Sequence, residues 1–313
     1  MAEILTIGFL TTFLSAAMRM AIPLTFAAIG EDISEKAGII NVGIEGIMLS
    51  GAFFSFGGAF LTGSLWVGFL CGMLAGMCVS LFHAFLSVYL RQSQNVAGVA
   101  INLFATGITS YLFMLLITAN GSLPQISTLN AAAIPLLSRI PVIGEVFFNQ
   151  DVVAYLAYVI VIIAAVFLYR TNWGLSLCSV GENPSAADTV GLSVYKIRYC
   201  AAAFNGLMIG LGGSYLILGQ LGVFYENITA GRGFIALAVV VFGRRNPFGI
   251  ILASLFFGAA DAFQFRLQTL GITLPTQLFT GLPYILTVLA LILVSKKNTN
   301  PAALGKPYIR ASR

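Results

Sequence analysis

Charge is what this chain has least of. Only 9% of its 313 residues are Asp, Glu, Lys or Arg, against about 25% in soluble domains, and a water-soluble fold is excluded. Histidine occurs once, at His83, and one imidazole builds neither a His-rich metal centre nor a Ser-His-Asp triad. Cys71, Cys78, Cys178 and Cys200 lie in or beside apolar runs without metal-ligand spacing and read as packing residues. No G-x-x-x-x-G-K-[ST] phosphate loop occurs: Gly305-Lys306 is followed by Pro307 and lacks the upstream glycine spacing. His-Glu-x-x-His is absent as well. The chain therefore lacks the means to hydrolyse a nucleotide, and any ATP-driven process it serves draws on another polypeptide. The opening residues have no basic n-region and no Ala-x-Ala site, so no removable signal peptide is expected.

What the chain has is apolar length. It is 58% hydrophobic with net charge +5 and mean hydropathy +0.95. The expected class is an all-α polytopic membrane protein, one transmembrane domain over 1–313. A window of about 20 residues per span gives about nine crossings: 5–28, 39–61, 65–90, 95–119, 152–169, 197–221, 231–243, 248–267 and 277–294. The seventh is short and predicts either an upstream extension or a partial helix. Lys36, Arg91, Arg170, Lys196, Arg198, Arg244, Arg245, Lys296 and Lys297 fall on one side if the span number is odd and the N-terminus external. The tail with Lys306, Arg310 and Arg313 is then cytoplasmic, and the basic surplus reports topology rather than nucleic-acid binding. Loop 120–151, with Pro124, Pro135 and Pro141, becomes the long external one: a partner surface or a packed loop lying on the outer interface. Gly68, Gly72 and Gly76, spaced four apart, predict close helix packing.

Polar residues inside apolar runs mark candidate sites. Glu31, Asp32, Glu35 and Lys36 read as an internal turn. Asn41 and Glu45 follow, four apart and so on one face if the run is helical. A carboxylate within a span costs on the order of 3 kcal/mol, so it faces a cavity or a polar partner. Glu45 thus reads either as a translocation-path group or as a structural carboxylate bonded to a neighbouring helix, with Arg19 as a partner. Arg19, Arg232 and Asp261 are the other intramembrane candidates, whereas His83 reads as a hydrogen-bonded packing residue.

The most polar long stretch is 170–198. Within it Asn183 can cap a helix, Pro184 fits the first helical position and Gly191 can end it left-handed. Ala186, Ala187 and Val190 form a small apolar face, with Asp188 and Thr189 turned away. A helix of about two turns does not stand alone in water. It is either a docking element for a soluble partner or a solvated loop with an incidental cap.

GEDISEKAGIINVGIEGIMLSGAF resembles the signature near the start of permease subunits of ATP-binding-cassette importers, in the branch for branched-chain amino acids, simple sugars and nucleosides. VGENPSAADTVGL with FNGLMIGLGGSYLILG resembles the coupling loop of these permeases and the following span, and GRGFIALAVVVFGRRNPFGIILASLFFGAADAF their late glycine-rich pair. NVGIEG is similar to the nucleoside and general simple-sugar subgroup. The resemblance implies a type II ABC importer-like permease fold. It carries Gly181, Glu182, Asn183, Pro184, Ala186, Ala187 and Gly191 onto coupling-helix positions, and Asn41, Gly43, Glu45 and Gly46 onto the first signature near the path. It also implies partners: a cytoplasmic ABC ATPase that binds ATP and Mg, an external substrate-binding protein, and a second, different permease. No cofactor is expected on this chain. The competing expectation is an ion- or proton-coupled secondary transporter using Glu45, Arg19 and Asp261.

Overall fold

The computed structural model describes residues 7–121, 124–135, 137–269, 281, 285 and 300–309, and these are helical with irregular connections and no strand among them. In order come α1 (Ile7–Lys36), α2 (Ile44–Thr62), α3 (Leu65–Ala84), α4 (Gln94–Asn120), α5 (Ile143–Phe148), α6 (Val152–Arg170), α7 (Asn172–Glu182), α8 (Pro184–Thr189), α9 (Val194–Tyr215), α10 (Arg232–Phe242) and α11 (Pro247–Thr269). Seven of them are long and apolar enough to cross a membrane, and α10 is a shorter apolar helix. The expected span 277–294 lies outside the described residues. Burial separates an inner set from an outer one. The apolar windows of α1, α2 and α9 are 72%, 72% and 83% buried, those of α3 and α4 only 28% and 22%, so α3 and α4 lie on the outside of the bundle.

Small residues let the inner helices touch backbone to backbone. Gly51 of α2 meets Gly210 of α9, and Gly72 and Gly76 of α3 meet the Gly51 and Gly206 carbonyls. Any Cβ there would overlap the facing backbone, so the four-residue glycine spacing serves packing. Arg91, Arg170, Lys196, Arg198, Arg244 and Arg245 gather with Lys36 at one end of the bundle, hereafter the basic end.

Two expectations about the first signature are corrected. Residues 30–36 are not a turn but the last turns of α1, which runs for 30 residues. The helix continues because its acids find partners inside: Glu31 accepts from the Asn41 N–H (2.8 Å) and the Asn205 amide (2.8 Å), and Glu35 pairs with Arg245 (2.6 Å). It ends at Gly38, whose φ of +87° allows the Ile39 N–H to reach back to the Ser34 carbonyl. The second span then begins only at Ile44. Asn41 therefore precedes the helix, and it does not share a helical face with Glu45.

The long loop is a packed one over its described residues. The Ile126 and Leu129 N–H groups donate to the Gly222 and Leu218 carbonyls, at the π-helical end of α9, 216–221. Gln150, 1% exposed, donates to Ser15 of α1 (3.3 Å). Asp151 caps α6 through the Ala154 N–H (2.9 Å) and accepts from the Tyr215 hydroxyl (2.6 Å). Stretch 170–198 holds more structure than one short helix: α7 precedes α8, and α9 starts at Val194, so Lys196 and Arg198 are helical.

Candidate functional site

α10 is the unusual span. Its 11 residues reach about 16 Å, half of a hydrocarbon core of about 30 Å, which agrees with the partial-helix alternative. A helix that begins inside the bundle leaves its first N–H groups without helical acceptors. Glu45 supplies them. Its Oε1 accepts from the Thr229 hydroxyl (2.6 Å) and the Gly231 N–H (2.8 Å), and its Oε2 from the Gly233 N–H (2.7 Å). Gly233 has no side chain because the Glu45 backbone lies where a Cβ would go. The depth follows from packing. Gly212 of α9 touches both the Pro23 carbonyl and the Met48 side chain. Pro23 is midway along α1, and Glu45 is one turn from Met48. The carboxylate and the α10 start therefore sit near mid-span.

Beside them lies an ion pair, Arg232 to Asp261 of α11 (3.6 Å), with the side chains 17% and 9% exposed. Arg19 is at a similar level, since Gly258 of α11 packs on Ala17 and Ala21, but its side chain is exposed. The expected Glu45–Arg19 partnership is corrected: Glu45 is 7% exposed and its oxygens are engaged by the α10 start. Of the five intramembrane candidates, Glu45, Arg232 and Asp261 converge and Arg19 flanks them. Asn41 is elsewhere, in the α1–α2 connection, where its Oδ1 accepts from the Gly43 N–H (3.0 Å). His83 is buried and bonded to the Gln94 carbonyl (3.2 Å), a packing histidine.

The second candidate region is α8. Asn183 caps it by accepting from the Ala186 N–H (3.1 Å), and Pro184 takes the first position. Gly191, φ +88°, closes it: its N–H reaches the Asp188 carbonyl and the Leu192 N–H the Ala187 carbonyl. The expected outward apolar face is corrected at Ala187. That residue is 3% exposed and packs on Val180, Val194 and Tyr308, because helical turning of about 100° per residue carries it off the face on which Ala186 lies. The outward surface is Ser185, Ala186, Thr189 and Val190, the last 76% exposed. Gly181 lies on the Lys36 carbonyl, its own carbonyl accepts from the Ala303 N–H, and Glu182 accepts from the Ala302 N–H (3.2 Å). The helix pair is thereby tied to the end of α1.

Three supporting groups have little signal in the sequence. Asn102 of α4 clasps the α2 start, accepting from the Gly46 N–H (2.8 Å) and donating to the Val42 carbonyl (3.0 Å); an amide early in an apolar run was the available hint. Asn205 of α9 donates its amide to the Glu31 carboxylate (2.8 Å). Arg198, 1% exposed, donates to the Ala37 and Lys306 carbonyls (3.2 Å each) and so joins α9, α1 and segment 300–309. Among the described residues no group of three or more His, Cys, Asp or Glu could hold a metal ion.

A half-span capped by a carboxylate, an adjoining ion pair and a capped surface helix make up the candidate site. The model of the family described as branched-chain amino acid transport system / permease component matches residues 13–291. The chain belongs to this permease family. The permease is 37% identical over 315 residues to the guanosine ABC transporter permease protein NupQ of Bacillus subtilis (strain 168), covering 97% of this chain and 98% of that one. It is 39% identical over 298 residues to the nucleoside ABC transporter permease protein NupC of Lactococcus lactis subsp. cremoris (strain MG1363), covering 92% and 94%. TsgC13 of Haloferax volcanii, provisionally named a glucose ABC transporter permease protein, is 37% identical over 272 residues, 85% and 81% of the two chains. The permease is a multi-pass membrane protein, in line with the seven long apolar helices among its described residues.

Proposed function

We propose that this permease is the membrane subunit of an ATP-driven importer, forming the path for nucleosides and moved by a cytoplasmic ATPase that docks on α8. The observation that carries the coupling half is the attachment of α8. Its outward residues Ser185, Ala186, Thr189 and Val190 are exposed, while Ala187 anchors it to Val180 and Val194. A push on that surface passes through Gly181 to α1 and through Val194 to α9, the most buried spans. Asn183, Pro184 and Gly191 fix the shape of the surface, and Glu182 holds segment 300–309 beneath it. ATP and Mg belong to the docking partner. Supporting the substrate class are the names of two similar proteins, one for guanosine and one for nucleosides; the glucose name of a third keeps simple sugars as the alternative.

The path candidates support a paired assembly. Arg19 is exposed and Arg232 partly open on the side of the bundle formed by α1, α10 and α11, with Asp261 buried beside Arg232. A second permease subunit, different from this one, closes that side, and an external binding protein delivers the solute. The basic end faces the cytoplasm of a prokaryotic plasma membrane, by the positive-inside tendency, with the N-terminus outside.

The test is uptake by cells or proteoliposomes carrying the permease with its co-purifying partners. Labelled guanosine and uridine enter only with ATP and a functional ATPase, and glucose does not compete. Uptake that persists without the ATPase, driven by an ion gradient, would overturn the reading in favour of secondary transport. Competition by glucose alone would move the substrate to sugars.

A further inference from the structure

Segment 300–309 has no helix of its own, and such a segment is ordered by what it touches. Here it is held along its length. The Ala302 N–H donates to Glu182 (3.2 Å) and the Ala303 N–H to the Gly181 carbonyl (3.0 Å), both at the end of α7. The Gly305 N–H donates to the Gly38 carbonyl (3.2 Å) in the α1–α2 connection. Arg198 and Tyr195 of α9 donate to the Lys306 carbonyl (3.2 Å) and the Tyr308 carbonyl (3.3 Å). The Tyr308 side chain is buried with Val180, Ala187 and Val194. The segment is therefore a strap across α7, α8, α9 and the α1–α2 connection.

What the strap leaves outside is apolar beside basic. Lys306, Pro307 and Ile309 are exposed, Ile309 at 62%. Ile309 directly follows the tyrosine packed against Ala187, and Val190, 76% exposed, follows α8 within one turn of the same alanine. Two exposed apolar side chains thus flank one buried contact. α8 by itself is too small to hold a partner. It offers four outward residues, whereas a stable protein interface takes about 20–30 residues a side. The remaining footprint comes from neighbouring surface, and the strap is the neighbour that shares the buried contact of α8. We propose that the cytoplasmic ATPase grips α8 and segment 300–309 together, with Val190 and Ile309 as apolar anchors and Lys306 beside them. This rests on the reading of α8 as the docking helix and extends it to a second element. The Gly305–Gly38 bond then gives the ATPase a hold on the α1–α2 connection, in addition to its hold on the end of α1 through Gly181.

The test compares the full chain purified with its co-purifying ATPase and the same chain after the ATPase has been stripped away. Hydrogen exchange is followed over 185–190, 300–309 and 38–41. Bound ATPase is expected to slow exchange about tenfold at 185–190 and 300–309 and to change it at 38–41. Ile309→Glu, at an exposed position that leaves Tyr308 in place, is expected to weaken ATPase binding about tenfold with an unchanged thermal profile. Ile309→Ala, which removes apolar contact without adding charge, weakens it by a smaller factor. Gln92→Glu adds a carboxylate to the exposed α3–α4 connection at the same end and binds the ATPase as the wild type does. Protection at 185–190 with exchange at 300–309 and 38–41 unchanged, or wild-type binding by Ile309→Glu, overturns the inference and leaves the docking role of α8 standing. Protection in none of the three stretches overturns the docking reading and this inference with it. Protection of 300–309 by lipid nanodiscs without the ATPase would assign the strap to lipid, and an equal loss from Gln92→Glu would reduce the effect to general charge; either result also overturns the inference.

Discussion

Replacing Glu45 by Gln removes a charge and keeps the shape, so its effect is worked out from three bonds. The wild-type carboxylate accepts from the Thr229 hydroxyl and from the Gly231 and Gly233 N–H groups, all at 2.6–2.8 Å. Gln retains one acceptor oxygen and sets an NH2 against a backbone N–H. One charge-assisted bond is lost, worth about 1.5–3 kcal/mol, and one buried donor is left unsatisfied at about 1–3 kcal/mol. The two costs overlap, which gives about 2–4 kcal/mol concentrated at the first turn of α10. Converted at 1.4 kcal/mol per decade, hydrogen exchange over residues 231–236 should speed up by roughly 30- to 700-fold. Exchange in α2 and α9 should change little, because Gly51, Gly210 and Gly213 hold those helices by contacts that do not involve Glu45. Uptake should fall while the protein still accumulates in the membrane. Exchange at 231–236 identical to wild type would refute the capping argument and return Glu45 to a role in the path.

Three further outcomes are expected. Ala186→Glu, on the exposed side of α8, should abolish ATPase co-purification and uptake with a normal thermal profile, whereas Ala187→Glu should reduce folded protein by burying a charge against Val180 and Val194; equal effects of the two in a stability assay would contradict the orientation of α8. Arg198→Met removes the bonds to the Ala37 and Lys306 carbonyls, at a cost of about 3 kcal/mol, and should expose segment 300–309 to limited proteolysis; unchanged cleavage would show that the Gly181, Glu182 and Tyr308 contacts hold it without Arg198. Ser185→Cys in a cysteine-free background should react with an impermeant reagent only after the cells are opened, and labelling of intact cells would invert the orientation proposed for the basic end.

Much of α8 was legible because capping is local chemistry. Asn183, Pro184 and Gly191 act within a few residues of one another, so a sequence pattern contains the whole interaction. Which methyl of the Ala186–Ala187 pair faces inward was not legible, since it depends on Val194 and Tyr308 arriving from other parts of the chain. The acids at the end of α1 misled for the same reason: Glu31 and Glu35 look like a solvated turn until Asn205 and Arg245 are brought beside them.

The sequence by itself determined that this is a membrane-embedded helical bundle. Low charge, long apolar runs and glycines four apart act through solvent and through neighbouring helices of any identity, so composition and spacing suffice. Tertiary structure alone decided what the intramembrane charges do. Glu45 meets a helix start 186 residues further on, and Arg232 meets Asp261 across two helices. A buried charge takes its role from whichever partner offsets its desolvation, and that partner is fixed by how the spans pack, not by what stands next to it in the chain.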